Sequence, residues 1–285
     1  MNPNLQADVV RIFVGCDPND CDLEQMMVLD YSLHRHATLP LEIHWMRLST
    51  NCSSPWYSDA RSGRGWQTQR WATPFSGFRW SVPTVCGFQG RAIYMDTDIL
   101  ALGDIAELWR APITAQAVVL ARSENQFPRF CVSLWDCAAA REHLPTLEAL
   151  QSHPTSHAQC SQYFESNPRL MGAIDPAYNN IDGEGHTVER IRLLHYSDMG
   201  TQFSHRLAFA RLAAEGRKHW FDGDVVPHPR TDLTAEFDRC YEEALASGRS
   251  LDDYRNPSPF GNVVKKSERR HRGNIFTRPA LHRCP

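Results

Sequence analysis

Apolar runs typical of strands alternate along the chain with apolar residues at helical spacing. The first run, residues 9–15, is rich in β-branched residues, ends in glycine and predicts a buried first strand. Residues 22–36 repeat apolar positions every three or four residues, which predicts a helix with one buried face. By the same criteria we predict strands at 41–48, 91–95, 116–121, 130–135 and 190–196, and helices at 104–110, 136–151, 202–216 and 231–247. This alternation predicts an α/β fold with a largely parallel sheet.

The composition is that of a soluble globular protein. The 285 residues are 42% hydrophobic and 22% charged, enough for one large domain or two small ones with a sizeable core. No apolar run has the length of a membrane helix, and residues 1–8 lack the pattern of a signal peptide. Nine cysteines without a Cys-x-x-Cys pair argue against both a disulfide framework and a zinc knuckle. We therefore expect a cytoplasmic protein.

Charge is distributed unevenly between the body and the C-terminus. Residues 262–285 contain seven Lys or Arg against one acid, Glu268, a balance of +6. Because the whole chain carries −3, the remainder carries −9. A basic tail on an acidic body is typical of contact with an anionic partner such as a membrane surface, and also of a solvated terminus.

Residues 90–109 combine a strand with a pair of carboxylates. The apolar strand runs into Asp96-Thr97-Asp98, and a turn and a short helix follow directly. Two carboxylates two residues apart, just past a strand end, can share a hard divalent cation that keeps positions open for a diphosphate. Ligands of open α/β sheets also bind at the carboxyl ends of strands. Alone, Asp-x-Asp is equally typical of a solvated turn, so its surroundings decide its meaning.

These surroundings resemble glycosyltransferase family 8 and its relatives. The stretch Gly-Arg-Ala-Ile-Tyr-Met-Asp-Thr-Asp-Ile-Leu-Ala-Leu-Gly-Asp-Ile-Ala-Glu-Leu-Trp is similar to the family's metal-binding segment. Other segments that agree in order and spacing are 11–20, 75–83, 130–136 and 194–199. The resemblance spans about residues 9–205 and implies a single GT-A-like domain, a Rossmann-related mixed sheet flanked by helices. We expect this domain at residues 8–250 and a basic C-terminal extension at 251–285.

The resemblance implies a metal-dependent site. It assigns Asp96, Asp98 and His195 to a divalent cation, and this oxygen and nitrogen set suits Mn²⁺, with Mg²⁺ as the alternative. A metal neutralises a nucleoside diphosphate, which is otherwise a poor leaving group. Asp17 and Asn19 have the groups to read a pyrimidine and a ribose, and the family's donors imply a UDP-sugar. The residues expected to bind the donor are Gly15, Cys16, Asp17, Asn19, Arg79 and Thr97.

Two parts of the chain depart from the family pattern. The acid and glutamine that bind the donor sugar have no clear counterpart, and Gln159, Gln162 and Asp175 are the candidates. Residues 201–205 stand where the family carries a lysine, a proline and a tryptophan that hold the diphosphate. Asp96 and Asp98 are two catalytic candidates. The third is Asp136, the least implausible nucleophile, whose alternative role is that of a helix N-cap.

These features predict a transferase that moves a sugar from a nucleotide-diphosphate donor to a glycan or lipid-linked acceptor in cell-surface polysaccharide synthesis. The resemblance implies retention of anomeric configuration. We expect the basic tail to touch the inner membrane and expect no nucleic-acid partner. One alternative is a non-catalytic nucleotide-sugar-binding protein. The other, a sugar nucleotidyltransferase, is disfavoured because residues 15–20 are acidic and contain one glycine where a basic, glycine-rich phosphate loop is expected.

The long segment 49–71 lacks a clear period and is predicted to be a loop. Aromatic faces stack on sugar rings and arginines recognise anionic groups, so one hypothesis is that this loop holds the glycan acceptor near the donor. The alternative is that its tryptophans anchor an irregular loop to the body. The residues concerned are Trp56, Tyr57, Trp66 and Trp71, with Arg61, Arg64 and Arg70 between them.

Overall fold

A computed structural model describes residues 8–59, 61–114, 116–124 and 127–261, so residues 262–285 of the predicted extension lie outside it. The strands are β1 (Val10–Gly15), β2 (Leu41–Met46), β3 (Ser58–Asp59), β4 (Arg64–Gly65), β5 (Arg91–Asp96), β6 (Ile99–Ala101), β7 (Val119–Glu124), β8 (Phe127–Asp136), β9 (Met171–Ala173), β10 (Asn180–Ile181) and β11 (Leu193–His195). The α-helices are α1 (Leu23–His36), α2 (Val82–Val85), α3 (Ile105–Trp109), α4 (Leu147–Ser152), α5 (Ser156–Ser166), α6 (His205–Ala214) and α7 (Thr231–Ala246). Short 3-10 helices include Ser76–Ser81, Ala139–Glu142 and Leu251–Tyr254.

The central sheet has six strands in the order β2-β1-β5-β8-β7-β9. β2, β1 and β5 run parallel, whereas β8 is antiparallel to both β5 and β7, and β9 is parallel to β7. The sheet is therefore mixed and flanked by helices, which confirms the fold implied by the resemblance. It also corrects the largely parallel sheet that alternation alone predicted, because β8 reverses the direction of the chain.

The two central parallel strands are buried on both faces of the sheet. Ile12 and Val14 of β1 belong to the same core cluster as Met95 of β5, on one face. Phe13 and Tyr94 pack on the opposite face with the aromatic segment that precedes α2. Successive side chains of a strand point to opposite faces, so this near-continuous apolar run is what a strand covered on both sides requires.

A second sheet, in the order β10-β11-β6, lies beside the central one. Leu100 of β6 and Leu194 of β11 share a core cluster with Val28 of α1 and with Leu233 and Phe237 of α7. This packing places the acidic turn, which lies between β5 and β6, next to the late strand β11. No helix among the described residues has the length and apolar character to cross a bilayer.

Most predicted elements are confirmed, but the helix expected at 136–151 is wrong over its first half. The chain instead forms a turn, a 3-10 helix at Ala139–Glu142 and the short α4. Pro145 separates the two because proline disfavours helical backbone at the preceding residue. The periodicity also missed α5, β9, β10 and β6, of which the last three are only two or three residues long.

The described part of the C-terminal segment packs on the body. Tyr254 and Arg249 donate to the Asp30 carboxylate on α1 at 2.6 and 2.8 Å. Burial by itself would raise the pKa of Asp30, but hydrogen bonds from His34, Tyr254 and Arg249 outweigh it and lower the pKa to about 2. Further along, the Asn256 backbone N–H donates to Asp20 at 2.7 Å. Residues 249–256 are thus tied both to α1 and to the loop after β1.

Candidate active site

The acidic turn lies where two parallel strands end side by side. Asp96 is the last residue of β5 and pairs in register with Gly15, the last residue of β1. The Thr97 hydroxyl donates to the Gly15 carbonyl at 2.5 Å, which bonds the turn to β1. A Cβ on Gly15 would lie 3.1 Å from the Tyr94 hydroxyl, so a larger side chain would crowd this junction. The turn therefore sits at the sheet edge where α/β folds bind ligands.

Asp96 is held by groups on both sides. Arg79 Nη2 donates to its two oxygens at 2.9 and 3.3 Å, and the Tyr94 hydroxyl donates to Oδ1. Arg79 also donates from Nε to the Ser76 carbonyl at 2.7 Å and lies over the Tyr94 ring. Burial raises the pKa of Asp96, although the charge of Arg79 acts in the opposite direction. Of the two carboxylate oxygens, Oδ2 has the weaker contacts.

Asp98 and His195 meet because β6 and β11 pair. The register sets His195 opposite Ile99, and the Tyr196 backbone N–H donates to the Asp98 carbonyl at 3.2 Å. Asp98 Oδ1 then lies 3.1 Å from His195 Nε2. Its other oxygen accepts from Gln202 Nε2 at 2.8 Å. The structure thus brings the two carboxylates of the turn and the late-strand histidine to one place.

His195 is enclosed and retains an unused nitrogen. The residue is 8% exposed, and its Nδ1 has no hydrogen-bond partner. Burial by itself would lower the pKa of His195, but the neighbouring Cys131 and Asp98 raise it well above its usual value. Ligand atoms of Asp96, Cys131 and His195 all lie within 4.8 Å of one another. These three side chains offer one oxygen, one sulfur and one nitrogen to a metal ion.

A cleft of about 280 Å³ opens over the acidic turn. Asp96, Thr97, Asp98, Arg79 and His195 line it, so the cavity holds all three predicted metal residues but only two of the six predicted donor residues, Arg79 and Thr97. Further lining comes from residues that the sequence did not connect with the site, namely Asp22 and Gln25 at the start of α1, Thr73 and Trp220. Met199 and Gln202 also line it, and they lie in the segments 194–199 and 201–205 that the resemblance did connect with the site.

Gln202 and Gln25 form a chain of hydrogen bonds behind Asp98. Gln25 Nε2 donates to Gln202 Oε1 at 2.8 Å and to the Ser204 hydroxyl at 2.9 Å. Because Gln202 in turn donates to Asp98, helix α1 fixes the orientation of that carboxylate. Gln202 lies within residues 201–205, the segment that departs from the family pattern. That departure was the only indication of its role in the sequence.

The loop after β1 uses its polar side chains internally. Asp17 is buried, and its Oδ1 accepts from the backbone N–H groups of Asn19 and Cys21 at 2.7 and 3.1 Å, whereas Oδ2 has no hydrogen-bond partner. Burial raises the pKa of Asp17. The Asn19 side chain exchanges two hydrogen bonds with the backbone of Gly261 at 2.6 and 2.8 Å. Cys16 is also buried, and burial raises the pKa of its thiol to about 12.

Asp136 lies at the opposite edge of the sheet. It pairs with Arg91, the first residue of β5, whereas Asp96 is the last, and five residues of strand span about 16 Å. Its Oδ1 accepts from the Ala139 backbone N–H at 3.0 Å and so caps the following turn. The structure does not bring Asp136 to the acidic turn, and its contact with Ala139 is of the capping kind that the sequence offered as the alternative role. Had β8 been parallel, its end would have lain beside Asp96.

Two tryptophans of the 49–71 loop are core residues, and the third, Trp56, is partly buried against the same cluster. Trp66 and Trp71 are buried, and their rings contact each other and Phe78 with centroids 5.1–5.7 Å apart. Their packing supports the anchoring alternative. The loop nevertheless ends beside the cleft, because Ala72 and Thr73 belong to its lining.

Comparisons with known proteins agree on the fold. No protein-family model matches the chain. Protein CDI from Arabidopsis thaliana is 25% identical over 227 residues, which is 71% of this chain and 83% of that protein. Among solved structures, an active-site mutant of LgtC, a galactosyltransferase, has a TM-score of 0.52 at 10% identity, covering 87% of this chain and 99% of its own.

Two larger glycosyltransferases are similar as well. The bifunctional WbbM has a TM-score of 0.51 at 11% identity, with 86% of this chain covered. GlyE of Streptococcus pneumoniae TIGR4 has a TM-score of 0.50 at 12% identity, with 85% covered. The chain spans only 52% of WbbM and 64% of GlyE. These likenesses establish a GT-A-type glycosyltransferase fold.

Proposed function

We propose that this chain is a metal-dependent glycosyltransferase, related to family 8, that moves a sugar from a nucleoside-diphosphate donor to an acceptor hydroxyl. The observation that carries the proposal is the meeting of Asp96, Asp98 and His195 at the carboxyl edge of β1 and β5. This edge is the ligand-binding edge of such sheets. The fold around it is shared with glycosyltransferases of solved structure.

The side chains of this site fit a divalent cation. Asp96 and Asp98 line the cleft with carboxylates, and His195 keeps a buried ring nitrogen that no hydrogen bond uses. When bound, the cation, Mn²⁺ in this proposal with Mg²⁺ as the alternative, neutralises the charge of the departing nucleoside diphosphate. Arg79 lies in the same cleft, and its guanidinium has the fork geometry that recognises phosphate.

The donor in this proposal is a UDP-sugar bound between the acidic turn and the loop after β1. Thr97 joins these two segments, because its hydroxyl donates to the Gly15 carbonyl just before the donor loop. Asp17 Oδ2 retains capacity to accept a hydrogen bond from the base or the ribose. Asn19 can take part only by exchanging its bonds to Gly261 for bonds to the donor.

The acceptor in this proposal is a glycan or a lipid-linked sugar of a cell-surface polysaccharide pathway. With Trp66 and Trp71 buried, contact with the acceptor falls to the exposed hairpin of the loop, where Arg64 lies over the Tyr57 ring, and to Thr73 at the cleft. A cytoplasmic location and contact of the basic tail with the inner membrane belong to the same proposal.

The decisive experiment measures nucleotide-sugar binding and turnover with the full chain. Calorimetric titration of UDP-, GDP- and CMP-sugars, with and without Mn²⁺, is paired with an assay of released nucleotide. We expect metal-dependent binding of UDP-sugars. Asp98→Asn should lower turnover at least about 100-fold, because several kcal/mol of charge stabilisation is lost. The control Asp238→Asn, on the exposed face of α7, should leave turnover unchanged.

Each other outcome has a definite meaning. Binding without turnover of any donor would favour the non-catalytic nucleotide-sugar-binding protein. Clear preference for GDP or CMP derivatives would overturn the UDP donor but keep the transferase. Absence of binding to all three donors in the presence of Mn²⁺ would overturn the proposal as a whole.

A further inference from the structure

Cys131 occupies an unexpected place beside the acidic turn. The β5–β8 register pairs Met95 with Val132, so Cys131 comes opposite Asp96. Its sulfur lies within 4.8 Å of ligand atoms of both Asp96 and His195. Because β8 runs antiparallel to β5, it is the beginning of β8, and not its end, that reaches the ligand-binding edge of the sheet.

The pairing of β7 with β8 shifts register at this point, as at a β-bulge or a similar irregularity. Ala121 of β7 pairs with Ser133, but the next residue, Arg122, pairs with Arg129, so three residues of β8 including Cys131 are left between these pairs. Bulges re-aim side chains and occur often beside functional sites. The irregularity falls on the segment of β8 that faces the metal residues.

The surroundings of Cys131 differ from those of the other buried cysteines. Within the described residues, the remaining buried cysteines all belong to hydrophobic clusters, namely Cys16, Cys21, Cys137, Cys160 and Cys240. Cys131 belongs to none of these clusters, and its thiol donates to Asn179 Oδ1 at 3.1 Å. A buried cysteine in apolar surroundings behaves as a small hydrophobe, whereas Cys131 faces two polar side chains with metal-binding atoms.

His195 supplies the second, independent observation. It is nine-tenths buried, and its Nδ1 has no hydrogen-bond partner. A buried polar nitrogen without a partner destabilises the folded state, and coordination of a metal would offset that cost. Asp96 also has an oxygen to offer, since Arg79 and Tyr94 both bind Oδ1 and the Oδ2 contact is 3.3 Å.

We infer that Cys131 is a ligand of the metal in this site, so that the centre has one sulfur, one nitrogen and carboxylate oxygens and prefers Zn²⁺ to Mg²⁺. The inference rests on the proposed function and deepens it, since it adds a protein ligand to that same site and changes the preferred metal from the Mn²⁺ of that proposal to Zn²⁺. Thiolate selects zinc and similar soft cations, whereas magnesium prefers oxygen alone. Binding releases the thiol proton to solvent.

The ligand atoms already lie close to the spacing that a zinc site requires. In a tetrahedral zinc site the bonds are about 2.0–2.3 Å, which sets ligand atoms about 3.5 Å apart. The present separations are at most 4.8 Å, so the ligand atoms must close by about 1 Å.

The test uses Co²⁺ as a spectroscopic substitute for Zn²⁺ in the full chain. Thiolate coordination to Co²⁺ produces near-ultraviolet charge-transfer absorption that carboxylates and imidazole do not produce. We expect this band in the wild-type protein and in the control Cys240→Ser, in which a buried cysteine of α7 is replaced. Cys131→Ser should lose the band and weaken Zn²⁺ binding by calorimetry at least about tenfold, while Mg²⁺ binding is unchanged.

Two results would overturn the inference. The first is Co²⁺ bound by wild-type protein at one equivalent without the band; the second is a band and a Zn²⁺ affinity that survive in Cys131→Ser. Melting curves of the two variants, and the wild-type spectrum itself, guard against a folding defect. If either result is found while the protein turns over a UDP-sugar with Mn²⁺, the proposed function stands. Absence of UDP-sugar turnover with every metal would count against the proposed function and not against Cys131 as a ligand.

Discussion

Replacing Gln202 by leucine tests whether the hydrogen-bond chain from α1 holds Asp98 in its working orientation. Leucine has a similar size but can neither donate to Asp98 Oδ2 nor accept from Gln25 Nε2, bonds that are both 2.8 Å long. Gln25 keeps its second bond, to the Ser204 hydroxyl. The substitution therefore removes support from Asp98 while leaving the packing of the site nearly intact.

The magnitude follows from the bonds that are lost. A hydrogen bond to a charged group contributes about 1.5–3 kcal/mol, and the neutral bond from Gln25 about 1 kcal/mol. Burial of the leucine offsets part of this, so we expect a net loss of about 1–3 kcal/mol in the free energy of unfolding. At about 2–4 °C per kcal/mol, the Tm falls by several degrees. Metal affinity should fall about 10- to 100-fold, as is typical when a partner that orients a metal ligand is removed.

The assay compares Gln202→Leu with Gln25→Leu. The second variant also loses two side-chain hydrogen bonds, to Gln202 and Ser204, but leaves Gln202 bonded to Asp98. Thermal melting and calorimetric titration with Mn²⁺ are measured on both. Both variants should be less stable than the wild type. The loss of metal affinity should be larger for Gln202→Leu, which removes the bond to Asp98 itself, than for Gln25→Leu, which removes only the support from α1 behind that bond. Equal metal affinity in the wild type and Gln202→Leu would refute the orienting role and leave Gln202 as a packing residue.

Two further predictions concern the C-terminal part of the chain. Asp30→Asn should lower the free energy of unfolding by about 1–2 kcal/mol at pH 7. The lowered pKa of Asp30 stabilises the folded state at pH values above the pKa that this carboxyl has in the unfolded chain, and the magnitude is reduced here because the carboxylate is partly exposed. That contribution is lost as pH falls from about 4 to 2, so the difference from the wild type in urea unfolding should vanish there; a difference that persists would point to lost packing of Tyr254 instead. Deleting residues 262–285 should weaken binding to anionic liposomes and spare donor hydrolysis in solution, and unchanged liposome binding would discard the membrane role.

Local patterns in the sequence determined most of the secondary structure. The β-branched run before Gly15 and the apolar strand before Asp96 were predicted within about two residues of their observed bounds, since strands buried on both faces are continuously apolar. The spacing of apolar residues likewise predicted α1 and α7, whose buried faces repeat every three or four residues. Where these patterns failed, at 136–151, a proline interrupted a helical period.

The acidic turn could also be identified from the sequence, because its residues are contiguous. Asp96 and Asp98 lie two residues apart after a strand, and this local arrangement together with the family resemblance located the site. That both carboxylates line a cleft at the sheet edge is the result of β1 and β5 being parallel neighbours.

Only the tertiary structure decided which distant residues join that turn. The partnership of Cys131 with Asp96, the support of Asp98 by Gln202, and the removal of Asp136 to the far edge all depend on strand direction and register. Side-chain periodicity indicates which face of the sheet a residue occupies, but it does not determine whether two strands pair parallel or antiparallel. Pairing between distant strands is determined by the packing of the whole core. Because β8 is antiparallel to β5, its beginning and not its end lies beside Asp96, and no local pattern in the sequence indicated this.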